Sequence, residues 1–200
     1  MMQWYFKTVT FLPEKRNNEL LVARCLKILH GFNYRHNTRK IGVSFPCWEE
    51  QTIGRKISFV STAKETLTEL LTQPYFLQMQ ELEYFSISEL QAVPNNCNYA
   101  MFKRSCYVDK YTPSAMAKRL RRLKRRALAR GEYFDPKKYD SNTNISIEHY
   151  HEIQEHSESN NNTFRINIQM SQRDKLEGSG VFSSYGLANF DNSHQNVPFV

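Results

Sequence analysis

The first ninety or so residues limit the fold most, because strand-like and helix-like patterns follow one another there in a set order. Trp4 to Phe11 (WYFKTVTF) is rich in aromatic and β-branched residues and reads as a strand. Asn17 or Asn18 can cap a helix running through about His30, with Gly31 closing it. Ile41–Phe45 and Lys56–Val60 are short strands, and Thr62-Ala-Lys-Glu65 has the form of a capping box opening a second helix to about Leu71. Glu83–Ile87 reads as a fourth strand. This β-α-β-β-α-β order predicts a ferredoxin-like (RRM-like) domain over residues 1–94, a plan common among RNA-binding domains. Fold alone assigns no function.

Residues 95–200 read as a second α+β domain packed against the first, with the boundary near Asn95. Tyr99–Val108 is a strand. Phe164, Ile166, Ile168 and Met170 alternate with Arg165, Asn167 and Gln169, the mark of a half-buried strand over Thr163–Met170. Gly178 and Gly180 predict a hairpin turn, with Val181–Leu187 returning as another strand. Asp140–Asn144 is a polar break, and Ser157–Thr163 (SESNNNT) a polar loop. The fold class is therefore α+β, with the second domain carrying an arginine-rich helix at 113–130.

That helix concentrates the charge of the chain. Lys118 to Arg130 reads KRLRRLKRRALAR, with eight basic residues in thirteen and none acidic. The net charge of the whole chain is +7, so without these eight it would be −1. Thr112 suits the N-cap, Pro113 the first helical position and Gly131 the left-handed end. Met116, Leu120, Leu123 and Ala127 form an apolar stripe. Lys118, Arg121, Arg122 and Arg125 point away from it, with Arg119 and Arg126 on the flank. A merely solvated helix would interleave Glu with Lys to relieve repulsion. No carboxylate lies between Asp109 and Glu132. A membrane-surface helix would carry Trp, Phe or more Leu on its stripe. A polyanion such as nucleic acid fits better than either.

Other classes are set aside by what the residues lack. No apolar run approaches a membrane span, and the Met-Met-Gln-Trp-Tyr start lacks the apolar core of a signal peptide, so a cytoplasmic protein without membrane contact is expected. Cys25, Cys47, Cys97 and Cys106 show no paired spacing and read as reduced thiols. HEXXH, GxSxG and Walker signatures are absent. His149, His151 and His156 cluster without a Cys or carboxylate to complete a ligand spacing, so no metal and no cofactor is expected. His30 lies at the end of the first helix, where it can favour the helix dipole, pack as a hydrogen-bonded core residue or act in catalysis. A basic protein of this kind can still cleave RNA, because the ribose 2′-OH supplies the nucleophile and one neutral imidazole suffices for the proton.

Several segments carry a resemblance across nearly the whole chain. Ile41-Gly-Val-Ser-Phe-Pro46, Arg121-Arg-Leu-Lys-Arg-Arg126, Phe164-Arg165 and Tyr185-Gly-Leu187 resemble the CRISPR repeat-RNA endoribonucleases of type I-F systems. WYFKTVTFLP, HGFNY at His30 and FSSYGL are most similar to the branch encoded in Tn7-like transposons. The resemblance implies a metal-independent, hairpin-specific enzyme that cleaves precursor transcript within each repeat, at the 3′ base of a hairpin, leaving a 2′,3′-cyclic phosphate. It implies retention of the mature crRNA as a subunit of a Cascade-like effector complex, whose other subunits are partners. In the transposon branch a transposition-targeting protein is a further partner. The alternative is a non-catalytic subunit that only holds the RNA hairpin, and a weaker one is a DNA-binding regulator.

By position, His30 matches the family's catalytic histidine, Ser157 the serine that holds the reacting ribose, and Ser159 the hydroxyl beside it. Tyr185 matches the tyrosine that orients the histidine, and Phe164 the aromatic under the last base pair. Arg122, Arg125 and Arg126 match the groove-facing arginines, with Lys118, Arg119 and Arg121 beside them as RNA contacts. Arg104 matches a base-reading arginine, but Cys106 stands where the family has its partner glutamine.

Overall fold

The computed structural model describes residues 3–105, 108, 113–139, 148–156, 163–188 and 195–200. Cys106, Thr112, Ser157, Ser159, the polar break at Asp140–Asn144 and positions 157–162 of the polar loop lie outside the described residues.

Strand β1 (Tyr5–Phe11) is central to the first sheet. It is joined by β2 (Gly42–Ser44), β3 (Lys56–Ser61), β4 (Phe85–Ile87) and β5 (Gln91–Ala92). The order is β2-β3-β1-β4, with β5 also on β1, and every pairing is antiparallel. With its helices, this is the ferredoxin-like order the sequence predicts. The register of β1 on β3 sets Thr8 opposite Ser58, and their hydroxyls meet at 2.8 Å.

Helix α1 spans Asn18–Arg35, and the Asn17 side chain accepts the Leu20 N–H at 2.8 Å as its cap. It does not end at Gly31. Phe32 and Asn33 are buried beyond that glycine, and packing of this turn outweighs a helix-propensity cost of about 1 kcal/mol. Helix α2 (Lys64–Leu71) begins two residues beyond Thr62, and no side chain caps it. The expected capping box is not formed. Helix α3 (Pro74–Glu81), which no sequence pattern announces, starts on Pro74 and buries Phe76 against Phe59 and Phe85.

The second sheet holds β6 (Tyr99–Arg104), β7 (His151–His156), β8 (Thr163–Arg173) and β9 (Val197–Pro198) in the order β7-β8-β6-β9, all antiparallel. The expected hairpin and return strand at 178–187 do not exist. Instead Gly180 N–H bonds the Gln195 side chain at 2.8 Å, and residues 183–187 curl into a turn closed by Ser183 N–H on Leu187 O at 2.8 Å. Ala188 alone forms a bridge, to Lys103.

Both sheets share one core. Val43 and Phe45 from the first, and Phe102, Ile153, Ile166 and Ile168 from the second, belong to a single buried cluster. The Phe45 and Phe102 rings meet edge to face at 5.0 Å. Residues 1–104 and 149–200 form one compact unit, and 105–148 another. The position near Asn95 is thus a change of sheet inside the first unit.

Among its described residues, the second unit contains helix α4 (Pro113–Ala129) and a 3-10 turn at Pro136–Tyr139. Gly131 ends α4 at φ 69°, with its N–H on Leu128 O and the Glu132 N–H on Ala127 O. These two bonds make a Schellman motif. Met116, Leu120 and Leu123 are half-buried and Ala127 is buried, so the predicted stripe is the covered face. Among the described residues, no helix is long and apolar enough to cross a membrane.

Candidate active site

His30, Asn33 and Tyr34 lie on one face of α1 because they recur at i, i+3 and i+4. Residues 182–187 come down on that face. Phe182 is buried and its N–H bonds Arg39 O at 2.8 Å, while Gly186 O accepts from Val43 N–H at 3.0 Å. Gly186 has φ 74°, and a Cβ there would lie 2.8 Å from both Leu29 Cδ2 and Val43 Cγ1. Only glycine allows the turn to seat this closely.

The seated turn presents Ser184 and Tyr185 to His30. Ser184 Oγ is 2.8 Å from His30 Nδ1, and Asn33 Nδ2 donates to Ser184 O at 2.9 Å. The Tyr185 ring stacks on the imidazole at 4.4 Å and 14°, while Tyr34 meets its edge at 4.8 Å. Arg39 lies over the Tyr34 ring at 5.0 Å and donates to Asn33 O at 3.0 Å. Among the described residues, His30 Nε2 has no hydrogen-bond partner.

The surroundings favour the neutral ring. Burial lowers the His30 pKa from its ordinary value, and the Arg39 cation lowers it further. Burial raises that of Tyr185, with Glu155 adding to the rise and Arg104 opposing it. Glu155 faces inward from β7 and is 4% exposed. Burial raises its pKa, against the pull of Lys27 and Arg24 on α1.

The structure therefore brings together His30 and Tyr185, with Arg104 close enough to act on the Tyr185 hydroxyl through its charge. Arg104 extends from the end of β6, and its guanidinium reaches Arg165 O at 3.3 Å. Phe164 stands on β8 opposite Glu155 and packs against the core cluster. Lys118, Arg119, Arg121, Arg122, Arg125 and Arg126 are exposed on α4 in the second unit. Three residues of the site carry no signal in the sequence: Ser184, Asn33 and Glu155. Ser184 is 154 residues from His30 in the chain, and no local pattern joins them.

The histidine cluster is divided. His149 and His151 meet at 3.3 Å between Nε2 atoms, and His151 Nε2 also lies 2.8 Å from Glu49 O. Trp48 packs edge-on to His151 at 4.4 Å. His156 closes β7 on its exposed face. Among the described residues, no group of three or more His, Cys, Asp or Glu side chains is arranged to hold a metal ion. Cys25, Cys47 and Cys97 are free thiols.

Fold and site together define an α+β protein with a ferredoxin-like sheet and a histidine-centred polar site under a docked turn. The sequence matches the family described as CRISPR-associated protein (Cas_Csy4) over residues 6–198, and the chain belongs to that family. Among solved structures it is similar to "Csf5, CRISPR-Cas type IV Cas6 crRNA endonuclease", at 10% identity, covering 85% of this chain and 90% of that one with a TM-score of 0.33. It is also similar to "CRISPR associated protein Cas6", at 10% identity, covering 98% of each chain with a TM-score of 0.36. No curated protein matches the sequence.

Proposed function

We propose that the chain is a metal-independent endoribonuclease that cuts CRISPR precursor RNA within each repeat, at the 3′ base of a hairpin. The observation that carries this reading is His30. Burial favours the neutral form of its ring, Nδ1 is engaged by Ser184, and Nε2 makes no hydrogen bond among the described residues, so it is the nitrogen open to substrate. Membership of the family supplies the substrate class.

In the proposed reaction, His30 Nε2 takes the proton of the ribose 2′-OH, and O2′ bonds to the adjacent phosphorus. The P–O5′ bond breaks, the leaving oxygen takes a proton from water, and a 2′,3′-cyclic phosphate remains. Ser157 holds the reacting ribose with Ser159 as the family's second hydroxyl, both carried over by resemblance, and Tyr185 steadies the imidazole face. Phe164 stacks under the last base pair, and Arg104 reads a base near it. Lys118, Arg119, Arg121, Arg122, Arg125 and Arg126 grip the hairpin, chiefly through phosphates, since the deep major groove of duplex RNA hides its base edges. The enzyme keeps its product and joins a type I-F effector complex in the cytoplasm, with a transposition-targeting protein as a further partner in the transposon-borne branch it most resembles.

Single-turnover cleavage of a labelled repeat hairpin tests the reading. Wild-type protein should cut in EDTA, fail on a 2′-deoxy substrate at the scissile position, and lose cleavage but not hairpin affinity in His30→Ala. A hairpin left whole by wild-type protein would make the chain a structural cap, and inhibition by EDTA would refute metal independence.

A further inference from the structure

With Nδ1 engaged by Ser184, the His30 ring can act as a base through Nε2 in only one of its two neutral tautomers. We propose that Ser184 is a positioning residue whose Oγ accepts the His30 Nδ1–H, so that the ring presents an unprotonated Nε2 to the ribose. The proposal deepens the endoribonuclease reading and rests on His30 acting as its base.

The geometry is specific. Oγ and Nδ1 are 2.8 Å apart, a hydrogen-bond distance that either atom could make as donor. If Oγ–H donated, the ring proton would sit on Nε2, which could then take no proton from the substrate. If Oγ accepts, Nε2 carries the lone pair. The second arrangement also survives the reaction step. Once Nε2 is protonated both ring nitrogens are donors, and Oγ goes on accepting without turning. A donating hydroxyl would have to rotate, and the ring to move its proton to Nδ1, before Nε2 could act. Preorganised polar groups that need no such movement are the effective ones in catalysis.

The backbone that carries the hydroxyl is also held in place from several sides. Asn33, one turn after His30 on the same helix, is fully buried and donates to Ser184 O at 2.9 Å. Its Oδ1 has no partner among the described residues. Turning the amide over would set Oδ1 against the Ser184 carbonyl, so the Nδ2 bond fixes its orientation. Ser183 and Leu187 close the turn through Ser183 N–H on Leu187 O at 2.8 Å and Leu187 N–H on Ser183 Oγ at 3.1 Å. Stacking on Tyr185 at 4.4 Å restrains the imidazole plane from its other side. A helix, a buried amide and a glycine-dependent turn therefore converge on one hydrogen bond.

Two measurements test this. In 15N-edited spectra of the RNA-free wild-type protein, His30 should carry its neutral-state proton on Nδ1, and Ser184→Ala should move population toward Nε2–H. In single-turnover cleavage at saturating protein, Ser184→Ala should lower the rate roughly tenfold or more, within the ~10²–10⁴-fold that a general base contributes. Hairpin affinity should stay unchanged, and Ser184→Thr, which keeps a hydroxyl, should restore much of the rate. A wild-type ring protonated on Nε2 overturns the proposal, as does Ser184→Ala with the wild-type rate. Absence of cleavage by wild-type protein would count against the function itself, and the spectra would still decide the tautomer.

Discussion

Gly186 is where a single methyl group should do the most damage to both stability and activity. Its φ of 74° lies in the left-handed region, and an alanine there costs roughly 1–2 kcal/mol through backbone sterics alone. The added Cβ would also lie 2.8 Å from Leu29 Cδ2, 2.8 Å from Val43 Cγ1 and 3.2 Å from Ile41 O. Leu29, Val43 and Ile41 are all fully buried, so the neighbours have little room to give. Overpacking of this kind typically costs about 1–3 kcal/mol. Gly186→Ala should therefore lose ~2–5 kcal/mol, or, at roughly 2–4 °C per kcal/mol for a chain of this size, about 4–20 °C in Tm. Any relief comes from lifting the turn, which carries Ser184 and Tyr185 away from His30. Cleavage should then fall at temperatures where the variant is still folded. Gly31→Ala is the internal control. Gly31 is exposed within α1, nothing lies within 4 Å of a Cβ there, and the change should stabilise by ~0.5–1 kcal/mol. Thermal melting by circular dichroism with parallel cleavage assays reads both. A Gly186→Ala protein that melts within a degree or two of wild type and cuts normally would refute the docked-turn argument.

Two further tests address charge. The rate of cleavage should rise with pH through a group titrating below the ordinary histidine value of about 6.5 and stay level above it, because burial and Arg39 both disfavour the imidazolium. Arg39→Met removes one of those causes, so its rate–pH limb should move to higher pH; an unmoved limb would mean another group is being titrated. Hairpin affinity should fall steeply with salt, and each of Arg122→Ala and Arg125→Ala should lessen the slope of log K against log salt by about one. Slopes equal to wild type would remove these arginines from phosphate contact.

Elements whose signal is local are legible in the sequence. The aromatic and β-branched run at Tyr5–Phe11, the Asn17 cap, the alternation of β8 and the stripe of α4 each declare themselves within one short window. Strand β7 does not, because two of its inward positions hold His151 and Glu155, and only Ile153 gives the apolar signal expected of a buried face. The strand expected at Val181–Leu187 fails for the opposite reason. Its composition suits a strand, but Gly186 at positive φ and the Ser183–Leu187 bonds bend it into a turn. Local preference is a weak prior that tertiary packing can override.

For the site, sequence determined the ingredients: a histidine near the end of the first helix, a tyrosine in FSSYGL, and a helix whose unrelieved positive charge calls for a polyanion. A catalytic use for them is what the resemblance implies, since a lone histidine has several uses. Only the tertiary structure decided the surroundings of the ring. Ser184, 154 residues away in the chain, meets Nδ1; burial lowers the pKa of the imidazole; Asn33 and Gly186 hold the meeting in register. A proton's position depends on distances of a few ångströms between groups from separate parts of the chain, and those distances exist only once the core has closed.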